Sequence, residues 1–404
     1  MKSGFGTLIL ILFIGLFIAC NTVDSTDEDD LDPKPVIKTN SMQLYMHYMP
    51  WFQSKEGSGY WGSHWRMDNS NPDNIDENGK RDIAAHYYPL IGPYDSRDQD
   101  VIDYHLLLMK YAGVDAVLID WYGTHNVHDY RPNLMNSNAF IDRVDDVGLK
   151  YAIVYEEYTA ESVESQTGKT AIEAAREDIA YMESEYFIAD EYLRINDQPL
   201  LMTFGPRYFR QENQWNQIFE GMNEEPVFLP LWSHSGRVGN HSDGEFSWVD
   251  FNSSLSELDN FYNRQAYLDV LIGSAYPRFH DYYEEGGEGD SYGRVYSRNG
   301  ETLTNTLEKA RQHELQYLQL VTWNDFGEGT VIEPTVEDEF LFLEIIQNFT
   351  GVEYGRPELE LIHQYYLKRK EFAGNAEKEA IMEQVFGNLN ALNIEQAKEL
   401  LDGL

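Results

Sequence analysis

Cysteine is almost absent from this chain of 404 residues: its one cysteine, Cys20, excludes a disulfide framework and any thiolate metal cage. Positive charge is also scarce. Thirty Lys and Arg stand against 69 Asp and Glu, a formal net charge of −39, so a nucleic-acid backbone would be repelled and no nucleic-acid partner is expected. A glycine loop suited to phosphate is missing as well. Glu284-Glu285-Gly286-Gly287-Glu288-Gly289 has the glycine but is too acidic, and it reads as a flexible loop or as a lid over a site. Clean metal-ligand spacing is lacking too: His241 with Asp243 and His125 with His128 come nearest, and both pairs read better as surface or hydrogen-bonding groups. Neither a metal nor a cofactor is therefore expected.

What is present starts with Met1-Lys2 and an apolar run over 8–18, too short for a comfortable membrane span, closed by Ala19-Cys20. Phe17-Ile18-Ala19-Cys20 resembles the lipobox of a bacterial lipoprotein, with Phe where Leu is usual. That resemblance implies cleavage before Cys20, lipidation of its sulfur, and a mature chain lipid-anchored to the outer membrane of the cell envelope and exposed at the surface. An ordinary secretory signal with an incidental cysteine is the alternative. The acidic stretch 24–30, followed by Pro33 and Pro35, reads as a polar tether of the kind found on exported bacterial lipoproteins.

From about residue 43, short apolar runs alternate with longer amphipathic segments, the rhythm of a parallel α/β sheet. Eight strands are predicted, at 44–49, 116–121, 151–155, 200–204, 227–232, 246–251, 271–276 and 317–322, with helices at 98–112, 170–185 and 303–314 among those between them. Eight such units close into a (β/α)8 TIM barrel. Long βα loops at 52–97 and 277–300 would elaborate its catalytic face, a helix at 338–349 would close it, and 359–371 and 377–403 would form peripheral helices. The expected organisation is a signal peptide over 1–19, an acidic flexible tether over 20–42, the barrel over 43–350 and C-terminal helices over 351–404.

The predicted strand ends are crowded with acids, histidines and aromatic rings: His47-Tyr48-Met49-Pro50-Trp51, Asp120-Trp121-Tyr122, Tyr155-Glu156-Glu157-Tyr158, Trp232-Ser233-His234 and Tyr276-Pro277-Arg278. The eighth ends in Trp323-Asn324-Asp325-Phe326-Gly327-Glu328, where a tight turn would aim two carboxylates into one cavity, as general acid and base work requires. A solvated loop or a helix cap is the alternative for that pair taken alone. Aromatic platforms beside carboxylates, in a chain with 28 Tyr and eight Trp, point to carbohydrate.

Met46-His47-Tyr48-Met49-Pro50-Trp51-Phe52, Trp61-Gly62-Ser63-His64-Trp65, Pro89-Leu90-Ile91-Gly92-Pro93-Tyr94-Asp95-Ser96 and the stretch 323–333, in that order, resemble glycoside hydrolase family 99, the endo-α-mannosidases and endo-α-mannanases. The resemblance spans roughly 43–350 and implies a (β/α)8 barrel that hydrolyses α-mannosidic bonds. Where family 99 has Asn-Glu-Trp-His-Glu, this chain has Asn324-Asp325-Phe326-Gly327-Glu328, and its Asp-then-Glu pair is similar to glycoside hydrolase family 71, the α-1,3-glucanases. By either resemblance Glu328 is the general acid and Asp325 the base. Asp325 would act on the sugar 2-hydroxyl, giving a 1,2-anhydro intermediate and retention, or on a water in an inverting route. Glu156, Tyr158, Asp120, Trp121, Tyr48, Trp51, Trp61, His64, Trp65, Tyr276 and Trp323 are the expected substrate-binding residues. A surface glycan-binding lipoprotein on a degenerate barrel and an α-1,3-glucanase-like hydrolase are the alternative functions.

Overall fold

The computed structural model describes Met1 and residues 31–404; Cys20, the signal peptide and the acidic run 24–30 lie outside the described residues. Eight parallel strands form the barrel: β1 Gln43–Tyr48, β2 Ala116–Trp121, β3 Lys150–Tyr155, β4 Gln198–Thr203, β5 Val227–Pro230, β6 Gly244–Phe246, β7 Val270–Ala275 and β8 Tyr317–Leu320. Hydrogen-bonded pairing runs from β1 through β2, β3 and β4 to β5, and from β1 the other way through β8 and β7 to β6. A thin seam between β5 and β6 closes the ring, where Leu231 bridges Phe246 and the Trp232 amide donates to Phe246 O at 2.8 Å. The strands read as nearly continuous apolar runs because both faces are covered; every residue of β2 is buried.

The sixth strand is the one whose bounds differ most, lying at Gly244–Phe246 rather than 246–251. Two causes are visible. Gly244 sits so close to the next strand that a Cβ there would meet Val270 O at 1.7 Å, so pairing begins at a glycine the apolar pattern does not mark. Beyond Ser247, the Asp250 carboxylate accepts the amides of Asn252, Glu257 and Leu258 and turns the chain into the helix Ser256–Tyr262.

Between strands, Gln99–Tyr111, Tyr130–Val144, Ala171–Tyr181 and Glu301–Gln312 are helices, the third opened by a Thr170–Glu173 capping box. Leu341–Thr350 closes the barrel, followed by Arg356–Glu371, and the single long C-terminal helix expected at 377–403 is two, Ala376–Asn390 and Ile394–Asp402, broken at Leu392 with φ +62°. Lys110 and Tyr111 donate to the carbonyls of Asn390 and Leu389, fastening this C-terminal unit to the barrel. Residues 31–42 run along the amino ends of the strands: the Lys34 amide donates to Asn390 O, the Thr39 amide to Thr350 O, and Lys38 pairs with Asp115 just before β2. Among the described residues no helix is long and apolar enough to cross a membrane.

Candidate active site

At the carboxyl ends of the strands lies a cavity of about 610 Å³. Three strands feed it by simple alternation. His47, Met49 and Trp51 leave β1 two residues apart, Asp120 and Tyr122 leave β2, and Glu156 and Tyr158 leave β3, all facing inward. The residues between them therefore face outward. Tyr48 stacks on Phe140 at 4.2 Å, and Trp121 packs against Tyr181 and Tyr186. Glu157 accepts the amides of Arg207, Tyr208 and Phe209, which pins the loop after β4 so that the Arg207 side chain reaches the cavity.

After β8 the turn is tied down at each step. The Trp323 amide donates to His47 O at 2.7 Å, and the Asn324 side chain grips the Met49 backbone, accepting from its N–H and donating to its carbonyl. Asn324 also donates to the Tyr94 hydroxyl, which donates in turn to the fully buried Glu333. The Asp325 amide donates to Thr322 Oγ1, and the Glu328 amide donates to Asp325 Oδ1 at 2.8 Å. Phe326, pointing the other way, anchors the turn against Trp65 and Phe52. Asp325 and Glu328 thus both face the cavity, and the Tyr283 hydroxyl donates to Glu328 Oε1 at 3.3 Å from the loop after β7.

The two carboxyls are shifted to different extents. Burial, and then the charge of Asp325, hold Glu328 well above the ordinary carboxyl range, the direction that suits a proton donor. Burial also pushes Asp325 up, to about 6, against the pull of the Glu328 amide, so it is mainly ionised at neutral pH. A second acid pair stands across the cavity. Burial and the neighbouring Glu156 raise Asp120 strongly, and burial lifts Glu156 to about 7 with Arg207 opposing, so neither carboxyl ionises independently of the other. Asp120 Oδ2, Glu156 Oε2 and the Trp51 indole N–H are buried without a partner. Such groups in a cavity wall suit hydroxyls that both donate and accept.

Of the expected site residues, Asp325, Glu328, Asp120, Glu156, Tyr158, Trp51 and His64 line this cavity. Six others do not. Tyr48 and Trp121 lie on outward positions of their strands; Trp65 is stacked on Phe52 at 4.0 Å, Trp323 lies edge-on to His105, and the Tyr276 hydroxyl is spent on Asp250 O. Trp61 lines a neighbouring hollow, its indole N–H donating to Asp73. The cavity is also lined by His47 and Tyr122, which stand in the strand-end stretches but not among the expected binding residues, and by Phe204, Arg207, Trp248, Tyr283 and Tyr292, which sequence reasoning missed. Strand alternation from Trp51 and Asp120 was the available signal for His47 and Tyr122. The histidines of the two weighed metal pairs have other contacts: His241 meets Asn216 Oδ1, His128 meets Gln166, and His125 lies near Asp178.

Residues 41–233 match the model of glycosyl hydrolase family 99. The match runs from β1 through β5 and stops short of the Asp325–Glu328 turn, so the place of those acids rests on the geometry above. A glycoprotein endo-alpha-1,2-mannosidase-like protein from Danio rerio is 24% identical over 281 residues, 63% of this chain and 60% of the relative. Glycoprotein endo-alpha-1,2-mannosidase from Xenopus laevis is 28% identical over 132 residues, 28% of either chain. The chain therefore spans under two thirds of the length of these relatives. Among solved structures, the GH99 endo-alpha-mannosidase from Bacteroides thetaiotaomicron superposes with a TM-score of 0.61 at 18% identity, over 78% of this chain and 99% of that one. A second structure, described as a glycoside hydrolase-like protein, superposes at 0.53 with 14% identity, over 79% of this chain and 97% of that one. At such identities the likeness shows a common fold.

Proposed function

We propose that this chain is a glycoside hydrolase that cleaves α-mannosidic bonds of an oligosaccharide or polysaccharide, with Glu328 as general acid and Asp325 as base. The observation that carries the reading is the pair itself: two buried carboxyls facing one cavity from one turn, the Glu328 backbone amide donating to Asp325, with burial raising both groups and the charge of Asp325 raising Glu328 further. The match to family 99 and the mannosidase relatives support the choice of sugar.

Glu328 gives its proton to the glycosidic oxygen as the bond to the anomeric carbon breaks, so the leaving sugar departs as a neutral alcohol. Asp325 takes the proton of the attacking oxygen, which belongs to the sugar's own 2-hydroxyl or to a water. Arg207, over the Tyr158 and Phe204 rings, faces the Asp120–Glu156 pair, whose free oxygens bind hydroxyls of the ring being cleaved. Product analysis by NMR on an α-mannan and an α-1,3-glucan identifies sugar, linkage and anomer together. Release of mannosides that stops in Glu328→Gln supports the reading. Binding without release of sugar from either polymer would sink it and favour a glycan-binding protein.

We further propose that Cys20 carries a lipid that tethers the chain to the outer surface of the cell. The lipobox-like residues before Cys20 support this, and so does the path of 31–42, which approaches the barrel at the end opposite the cavity and would leave the cleft facing outward. Fatty-acid labelling that is lost in Cys20→Ser, with release of the protein from the membrane fraction, is the expected result; unchanged labelling counts against it.

A further inference from the structure

Beside the main cavity, the loop after β1 encloses a second hollow of about 430 Å³. Ser63 lines both, and the partition between them is a side-chain hydrogen bond: His64, stacked on Trp51 at 4.2 Å, faces the main cavity, while its partner Asp129 faces the second, with Nε2 and Oδ2 3.1 Å apart. The hollow is thus the next space along the same face.

Two of its donors have no partner. Gln53 is only 2% exposed, yet its side-chain Nε2 has no partner, and Arg66 makes no guanidinium hydrogen bond or ion pair among the described residues. Lys55, by contrast, is paired with Asp73, which also accepts from the Trp61 indole. Tyr60, 46% exposed, supplies a flat apolar face, whereas Trp61 is buried with the Arg81 guanidinium over its ring. A buried amide left without an acceptor is unfavourable, so the hollow favours a ligand rich in acceptor oxygens with a face to lay on a phenol ring.

We propose that this hollow is a distal subsite for a further sugar unit of the same glycan, its ring against Tyr60 and its oxygens accepting from Gln53 and Arg66. The proposal rests on the reading of the main cavity as a mannoside-cleaving site. It predicts a chain-length effect in binding. In a Glu328→Gln background, calorimetry compares α-mannobiose with longer α-mannooligosaccharides, with and without the paired changes Tyr60→Ala and Arg66→Ala, both at exposed positions. Longer chains should bind more tightly than the disaccharide, and the paired changes should remove about tenfold of that gain while leaving disaccharide affinity unaltered. Unaltered long-chain affinity in the doubly changed protein overturns the proposal. So does an affinity that ignores chain length, which leaves the mannosidase reading standing; failure to bind any α-mannooligosaccharide removes both.

Discussion

The backbone N–H of Glu328 donates to Oδ1 of Asp325 at 2.8 Å, so the turn that brings the two acids together also sets them apart. A hydrogen bond to the charged form favours ionisation, and Asp325 receives it while Glu328 receives the repulsion of the resulting charge.

Replacing Glu328 by Gln keeps the shape of the acid and removes its proton. We expect kcat to fall about 10²- to 10⁴-fold on substrates with poor leaving groups, with oligosaccharide affinity nearly unaltered. Comparable kcat in the variant, measured by release of reducing ends, would exclude Glu328 as the acid.

Activity should rise with pH through about 6, because Asp325 works ionised and protonation removes the base. It should fall again only at higher pH, where Glu328, held well above the ordinary carboxyl range, loses its proton. The profile of kcat/KM is the measurement. A limb near the usual aspartate range, about 4, would show that Asp325 is not the group that titrates.

Trp51 and Trp121 should separate cleanly. Trp121 is fully buried on an outward strand position, so Trp121→Ala should cost about 3–5 kcal/mol in urea unfolding. Trp51 lines the cavity with an unpartnered indole N–H, and Trp51→Ala should raise KM with a smaller change in stability. The opposite pattern would mean that the alternation assigned to β1 and β2 is out of register.

Glu157 should act through Arg207. Glu157→Ala leaves three amides of the loop after β4 without an acceptor, a loss of about 3 kcal/mol. Arg207→Met keeps the loop and removes only the charge, so the Glu156 carboxyl should titrate above about 7 and KM should rise without a stability loss of that size. Equal thermal shifts in the two variants would argue against this division.

Much of the barrel was legible because a strand covered on both faces must be apolar throughout: 116–121 was read to the residue, and seven of the eight strands lie within two residues at each end. Strand six was not, since its start depends on a glycine packed on Val270 and its end on the Asp250 carboxylate. The site divides in the same way. Acids at strand ends could be read as a group, and strand alternation then separates Asp120 and Glu156, which face the cavity, from Glu157, which holds a loop. Aromatic rings could not, because Trp65, Trp121 and Trp323 serve the core as well as any site, and one step along a strand moves a ring from one to the other.

The sequence by itself determined the eight-strand rhythm, the acid excess and the placing of Asp325 and Glu328 after the last strand. Only the tertiary structure decided that burial and mutual repulsion shift the two acids to different extents, that Asp120 and Glu156 meet, and that Arg207 and Tyr283 arrive from distant loops. Periodicity is local and is written in adjacent residues, whereas burial, charge coupling and loop docking depend on groups that the chain brings together from far apart.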